Sequence, residues 1–163
     1  MTSIADLRRI LGSCRTLAVV GLSPQWHRPS FFAAKYMQSH GYRIVPVNPG
    51  ATEILGERAY PSVTAAAQAL AAQGLRIDMV DCFRRSEDIA PIAEEAIAIG
   101  AKCLWLQLGV VNEAAAAKAR AAGLDVVMDR CVKIEHARLF GGLNWAGVNT
   151  RVISSRRPQQ LPY

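Results

Sequence analysis

Short runs of purely apolar residues alternate along this chain with longer stretches that repeat an apolar residue every three or four positions. Each apolar run is closed by glycine or by a polar turn. This alternation constrains the fold more than any other feature. A strand that is apolar at every position has to be covered on both faces, and a helix after each strand supplies the covers. The chain therefore reads as an α/β fold, a Rossmann-like three-layer α/β/α arrangement around a mostly parallel sheet of about five strands.

Strands are expected at Leu17–Gly21, Tyr42–Val47, Ile77–Phe83, Cys103–Leu108 and Leu124–Met128. A first helix runs from Ile4 to Leu11 and stops at Gly12. Pro29 and Ser30 open the next helix, since proline suits a first turn and serine can cap it. Phe32, Tyr36 and His40 then recur every fourth residue, with Ala33 and Met37 beside them, and Gly41 closes the helix. Asn48-Pro49-Gly50 is a turn, and residues 52–60 read as irregular. Pro61-Ser62 starts a helix carrying Val63, Ala66, Ala67 and Leu70, ended by Gly74. Ser86 reads as an N-cap with Glu87 and Asp88 in the first turn, favoured there by the helix dipole. Asn112 caps an alanine-rich helix that ends at Gly123, and a short helix over Val132–Leu139 follows. Residues 1–140 form one domain on this reading, and residues 141–163 a basic, glycine-rich extension.

At 163 residues, with 51% hydrophobic and 20% charged, the composition is that of one globular domain. The formal net charge of +6 favours an anionic partner: a nucleotide, a phosphorylated metabolite or nucleic acid. Part of that charge is local, in Arg151, Arg156 and Arg157. No segment matches a nucleic-acid-reading motif, so nucleic acid is the least expected of the three. Cys14, Cys82, Cys103 and Cys131 are scattered, without a C-x-x-C pair, and read as reduced thiols. No basic-then-apolar leader opens the sequence and no apolar run reaches spanning length, so a cytoplasmic protein away from membranes is expected.

In open α/β sheets, ligands bind outside the carboxyl ends of the strands, where the strand order reverses. The residues that follow the strands are therefore the candidates. They are Gly21, Leu22 and Ser23 with Arg28, Pro29 and Ser30; Asn48 and Pro49; Phe83 and Arg84; Gln107, Gly109 and Val110; and Cys131 behind Asp129 and Arg130. Gly21 admits a close backbone approach. The amides at a helix start near Ser30 favour an anion, and Arg28 and Arg84 can add charge-assisted bonds to phosphate. The G-x-G-x-x-G fingerprint is absent, and Asn48-Pro49 stands where a ribose-binding acid would be, both against an ordinary NAD site. Cys131, His136 and Asp129 are too few for a closed zinc site. Ser23 is not in a G-x-S-x-G context, and no catalytic apparatus is legible. Trp105 reads as core packing.

At these residues the sequence resembles the CoA-binding domain family of small bacterial proteins, itself similar to the CoA-binding domain of the succinyl-CoA synthetase alpha subunit. The segments that carry the resemblance are Val20-Gly21-Leu22-Ser23, Arg28-Pro29-Ser30, Val45-Pro46-Val47-Asn48-Pro49, Val80-Asp81-Cys82-Phe83-Arg84, Gly100-Ala101-Lys102, Trp105 to Val110, and Met128-Asp129-Arg130-Cys131. The resemblance implies that coenzyme A, or an acyl-CoA, lies along the carboxyl edge of the sheet. Its pyrophosphate would lie over Gly21 to Ser23 and the next helix start, with Arg28 near. Asn48 and Pro49 would border the adenosine, and Phe83, Arg84 and Gln107 to Val110 the rest. The role expected is a non-catalytic carrier, sensor or regulatory module. The alternative is an enzyme using the CoA thiol, by exchange at Cys131 or by acyl-CoA chemistry with a partner chain. A homo-oligomer or a partner protein stays open.

Overall fold

The structure is a computed structural model and describes residues 2–141, so the basic extension, apart from Gly141, lies outside the described residues. The first element, α1 (Ile4–Ser13), starts at a reciprocal capping box: Ser3 Oγ accepts from the Asp6 amide, and the Asp6 carboxylate accepts from the Ser3 amide. Then come β1 (Thr16–Val20), α2 (Pro29–Ser39), β2 (Arg43–Val47), β3 (Glu53–Ile54), β4 (Glu57–Arg58), α3 (Val63–Ala71), β5 (Met79–Cys82), α4 (Ile89–Ala98), β6 (Cys103–Leu106), α5 (Glu113–Ala121), β7 (Asp125–Val127) and α6 (Val132–Phe140).

The main sheet has five strands in the order β2-β1-β5-β6-β7, all parallel. From β1 the chain first goes outward to β2, then returns past β1 to β5 and continues the other way. The order therefore reverses between β1 and β5. Alternation along the strands sends Ala18, Val20, Val80, Cys82, Leu104 and Leu106 into one layer, under α3, α4 and α5. Leu17, Val19, Met79, Cys103, Trp105 and Val127 enter the other, under α1, α2 and α6. Trp105 is fully buried in the second layer, and its indole N–H donates to the Arg130 carbonyl at 2.8 Å. Arg9 clamps α1 to the sheet edge with two 2.8 Å bonds to Asp125.

Five expectations are corrected. Residues 52–60 are not wholly irregular: β3 and β4 pair as a small antiparallel hairpin. Ser86 does not cap α4. It opens a single 3-10 turn over Ser86–Asp88, and its hydroxyl is taken by the Val111 amide at 3.0 Å. Ser30 does not cap α2 either; the N-cap position belongs to Arg28, which makes no side-chain cap bond. The face that α2 buries is Ala33, Ala34 and Met37, while Phe32 stands exposed, because small residues let the helix approach the sheet closely. β5 and β6 also stop short of their expected carboxyl ends, so Phe83 and Gln107 fall in loops.

Candidate functional site at the carboxyl edge

The loop after β1 is folded by local chemistry. Gly21 has a φ of +81°, its amide donates to Val47, and a Cβ placed there would lie 2.4 Å from the Phe83 carbonyl oxygen and 2.9 Å from Arg84 Cδ. Three strand ends thus meet at one residue without a side chain. Leu22 is fully buried and points into the core, so its bulk does not enter the rim. Its carbonyl accepts from Asn48 Nδ2 at 3.0 Å, and Asn48 Oδ1 accepts from the Gly50 amide at 2.8 Å. Asn48 therefore ties the loop after β1 to the turn after β2, with Pro49 exposed beside it.

Ser30 is buried, and its Oγ accepts from the Ser23 amide at 3.0 Å. The Ser23 hydroxyl in turn accepts from the Gln25 amide at 3.1 Å. This staples the loop against the start of α2. Replacing Ser30 by alanine should cost about 1 kcal/mol in urea unfolding and speed hydrogen exchange at the Ser23 amide. Unchanged exchange there would show that the staple is idle.

With Pro29 in the first turn and no side-chain cap, the amino end of α2 keeps its partial positive charge at the rim. Exposed Arg28 leans on Gln25 through one 3.3 Å bond. The Arg84 stem arches over Gly21, and its half-exposed guanidinium meets Asp88 at 3.5 Å. Both cations are thus held by weak surface partners at the reversal of strand order.

Across β5, the Gln107 amide donates to the Cys82 carbonyl at 3.3 Å, which brings the loop after β6 beside Phe83. Gly109 donates to Asp129 Oδ1 at 2.7 Å, Val110 is buried, and the loop after β7 is thereby tied to the loop after β6. Cys131 sits at the amino end of α6. Burial, the largest influence, pushes its thiol pKa up, against the Lys133 and Ile134 amides that favour the thiolate. His136 meets the Tyr36 hydroxyl through Nδ1 at 3.0 Å. Among the described residues, no group of three or more His, Cys, Asp or Glu is placed to hold a metal.

Two residues of interest have no role assigned from the sequence. Trp26 is 72% exposed in the loop that carries Arg28. An aromatic residue in a Pro-rich strand-to-helix loop is the signal that could have marked it. Asp81 is a buried acid on β5, hydrogen-bonded to Gln107. Its signal was an acid inside an apolar run. Elsewhere, a concavity of about 550 Å³ runs along the outer edge of β7, lined by Asp6, Ile10, Glu113, Arg120, Asp125 and Arg130 among others. Of the residues named after the strand ends, Arg130 alone lines it.

The order of the parallel sheet, with helices on both faces, defines a Rossmann-like class of α/β domain. More particularly, the chain belongs to the CoA binding domain family, whose model matches residues 15–137. It is 41% identical over 135 residues to the uncharacterized protein YneT of Bacillus subtilis (strain 168), covering 83% of this chain and 95% of that one. A hypothetical protein from Pyrococcus horikoshii OT3 superposes with a TM-score of 0.77 at 38% identity, covering 85% of this chain and 93% of that chain. The dinucleotide forming acetyl-coenzyme A synthetase 1 of Ca. Korarchaeum cryptofilum shares the fold alone. Its TM-score is 0.62 at 20% identity, and the match covers 76% of this chain and 27% of that one. Among the described residues, no helix is long and apolar enough to cross a membrane.

Proposed function

We propose that this chain binds coenzyme A or an acyl-CoA across the carboxyl edge of its sheet, as a carrier, sensor or regulatory module without catalysis of its own. The observation that carries the reading is the uncapped amino end of α2 facing the Gly21–Ser23 loop, with Arg28 and Arg84 beside it. A diphosphate there would receive the Ser30 amide at the positive end of the helix dipole, the Ser23 hydroxyl and two guanidinium groups. Asn48 and Pro49 would border the adenosine, and Trp26 has the exposed aromatic face to stack on it. Phe83, Gln107, Gly109 and Val110 would line the pantetheine arm. Thiol exchange at Cys131 fits less well, because burial raises the pKa of its thiol and depletes the reactive thiolate.

Calorimetric titration with CoA tests the reading. Saturable binding is expected, and Arg28→Ala and Arg84→Ala should each weaken it by about tenfold, the scale of one charge-assisted bond. The wild-type affinity should also fall as salt is added. An absence of saturable heat with both CoA and acetyl-CoA would sink the proposal.

A further inference from the structure

Beneath the rim sits a buried acid to which CoA binding alone gives no task. Asp81 is on the central strand β5 and is 1% exposed. Its Oδ1 accepts from Gln107 Nε2 at 2.6 Å, and Gln107 is itself buried at the start of the loop after β6. The strand neighbours of Asp81 are Val19 on β1 and Trp105 on β6, so neither offers it a charge. The titratable groups that sense its charge are Cys82 on its own strand, Cys103 on β6 and Cys131 at the start of α6. Among the described residues no cation bears on Asp81, whose environment is set by burial and by Gln107.

An ionised carboxylate can only accept hydrogen bonds, so it obliges the Gln107 amide to turn its NH₂ inward. The carbonyl oxygen is then the part of Gln107 left for a ligand. A protonated carboxyl can donate. The amide can then turn over, oxygen inward and NH₂ outward, with no change of volume. Such a turn exchanges an acceptor for a donor at a fixed place at the start of the loop after β6.

We infer that Asp81 and Gln107 together set the hydrogen-bond polarity of the cleft floor and so select between free CoA and acyl-CoA. With Asp81 ionised, the floor favours a ligand group that donates, such as a thiol S–H. With Asp81 protonated, it favours one that only accepts, such as a thioester carbonyl. The inference rests on the CoA reading above and names its ligand selectivity. Burial pushes the Asp81 pKa up to about 7 against the opposing Gln107 bond, so the exchange falls near neutral pH.

The test is the ratio of two calorimetric affinities, CoA over acetyl-CoA, at about pH 5.5 and about pH 8, in wild type and Asp81→Asn. The phosphates of the two ligands titrate alike, so their contribution cancels in the ratio. The wild-type preference for CoA should rise about fivefold between the two pH values, the scale of one hydrogen bond, and the preference of Asp81→Asn should stay flat. A wild-type ratio that ignores pH, or a variant that tracks the wild type, overturns the inference. If neither ligand binds at either pH, the CoA reading falls, and the ¹⁵N resonance of the Gln107 side-chain amide decides about the pair. A shift with pH in wild type but not in Asp81→Asn keeps the selector, for another ligand. No shift removes it.

Discussion

Replacing Gly21 by alanine is expected to destabilise the protein by about 2–5 kcal/mol and to lower CoA affinity by at least tenfold. Two effects add. A left-handed backbone conformation costs a residue with a Cβ roughly 1–2 kcal/mol, and the φ here is +81°. The new Cβ would also start 2.4 Å from the Phe83 carbonyl oxygen. That is a backbone atom just past the end of β5, held by the Phe83 amide bond to Val20, and it has no rotamer to escape into, so overpacking adds about 1–3 kcal/mol. Gly74 is the control. Its φ is +73°, but nothing lies within 4 Å of a Cβ there. Gly74→Ala should show only the conformational cost and leave CoA binding alone. Urea unfolding and calorimetry on both variants separate strain from collision. Equal losses in the two would mean that the close approach at Gly21 costs nothing.

The second large effect is a pH dependence of stability. An ordinary aspartate releases its proton near 3.8, whereas burial holds Asp81 protonated up to about 7. Between those values the unfolded chain has lost a proton that the folded chain keeps. Stability contributed by this residue is therefore complete below about pH 4 and is lost as pH rises through 7. A difference of about three pKa units corresponds to about 4 kcal/mol. Asp81→Asn keeps an acceptor for Gln107 and cannot ionise. Its stability relative to wild type should therefore climb by about 4 kcal/mol between pH 4 and pH 7.5, then level off. The carboxylates of Asp6 and Asp78, whose pKa values are lowered, act in the opposite sense, but they occur in both proteins and cancel in the difference. A difference that is constant with pH would mean that Asp81 is ionised in the folded protein at an ordinary pKa.

The strands were readable because burial on both faces leaves an unbroken apolar run, and no other element writes that pattern so short. The β3–β4 hairpin was hidden by its turn. Leu55 and Gly56 both have positive φ, the geometry that Asn-Gly normally announces, and a leucine in the first place masks it. Ser86 misled because its capping competence is real, but the amide that takes its hydroxyl belongs to Val111, on a loop far along the chain. The residues of the rim could be nominated one strand end at a time. Which ends adjoin could not, because that depends on the order β2-β1-β5-β6-β7, a property of the assembled sheet. Asp81 shows the same limit: an acid in an apolar strand is visible, but its partner lies 26 residues away and only packing brings the two together.

The ties between neighbouring loops, Ser30 to Ser23, Asn48 to Leu22, Ser86 to Val111 and Asp129 to Gly109, make the carboxyl edge a laced hoop. A hoop of this sort is already in shape before its guest arrives. Little conformational freedom is left to surrender on association, so capture should be fast and the affinity should be read mainly in how slowly the guest departs.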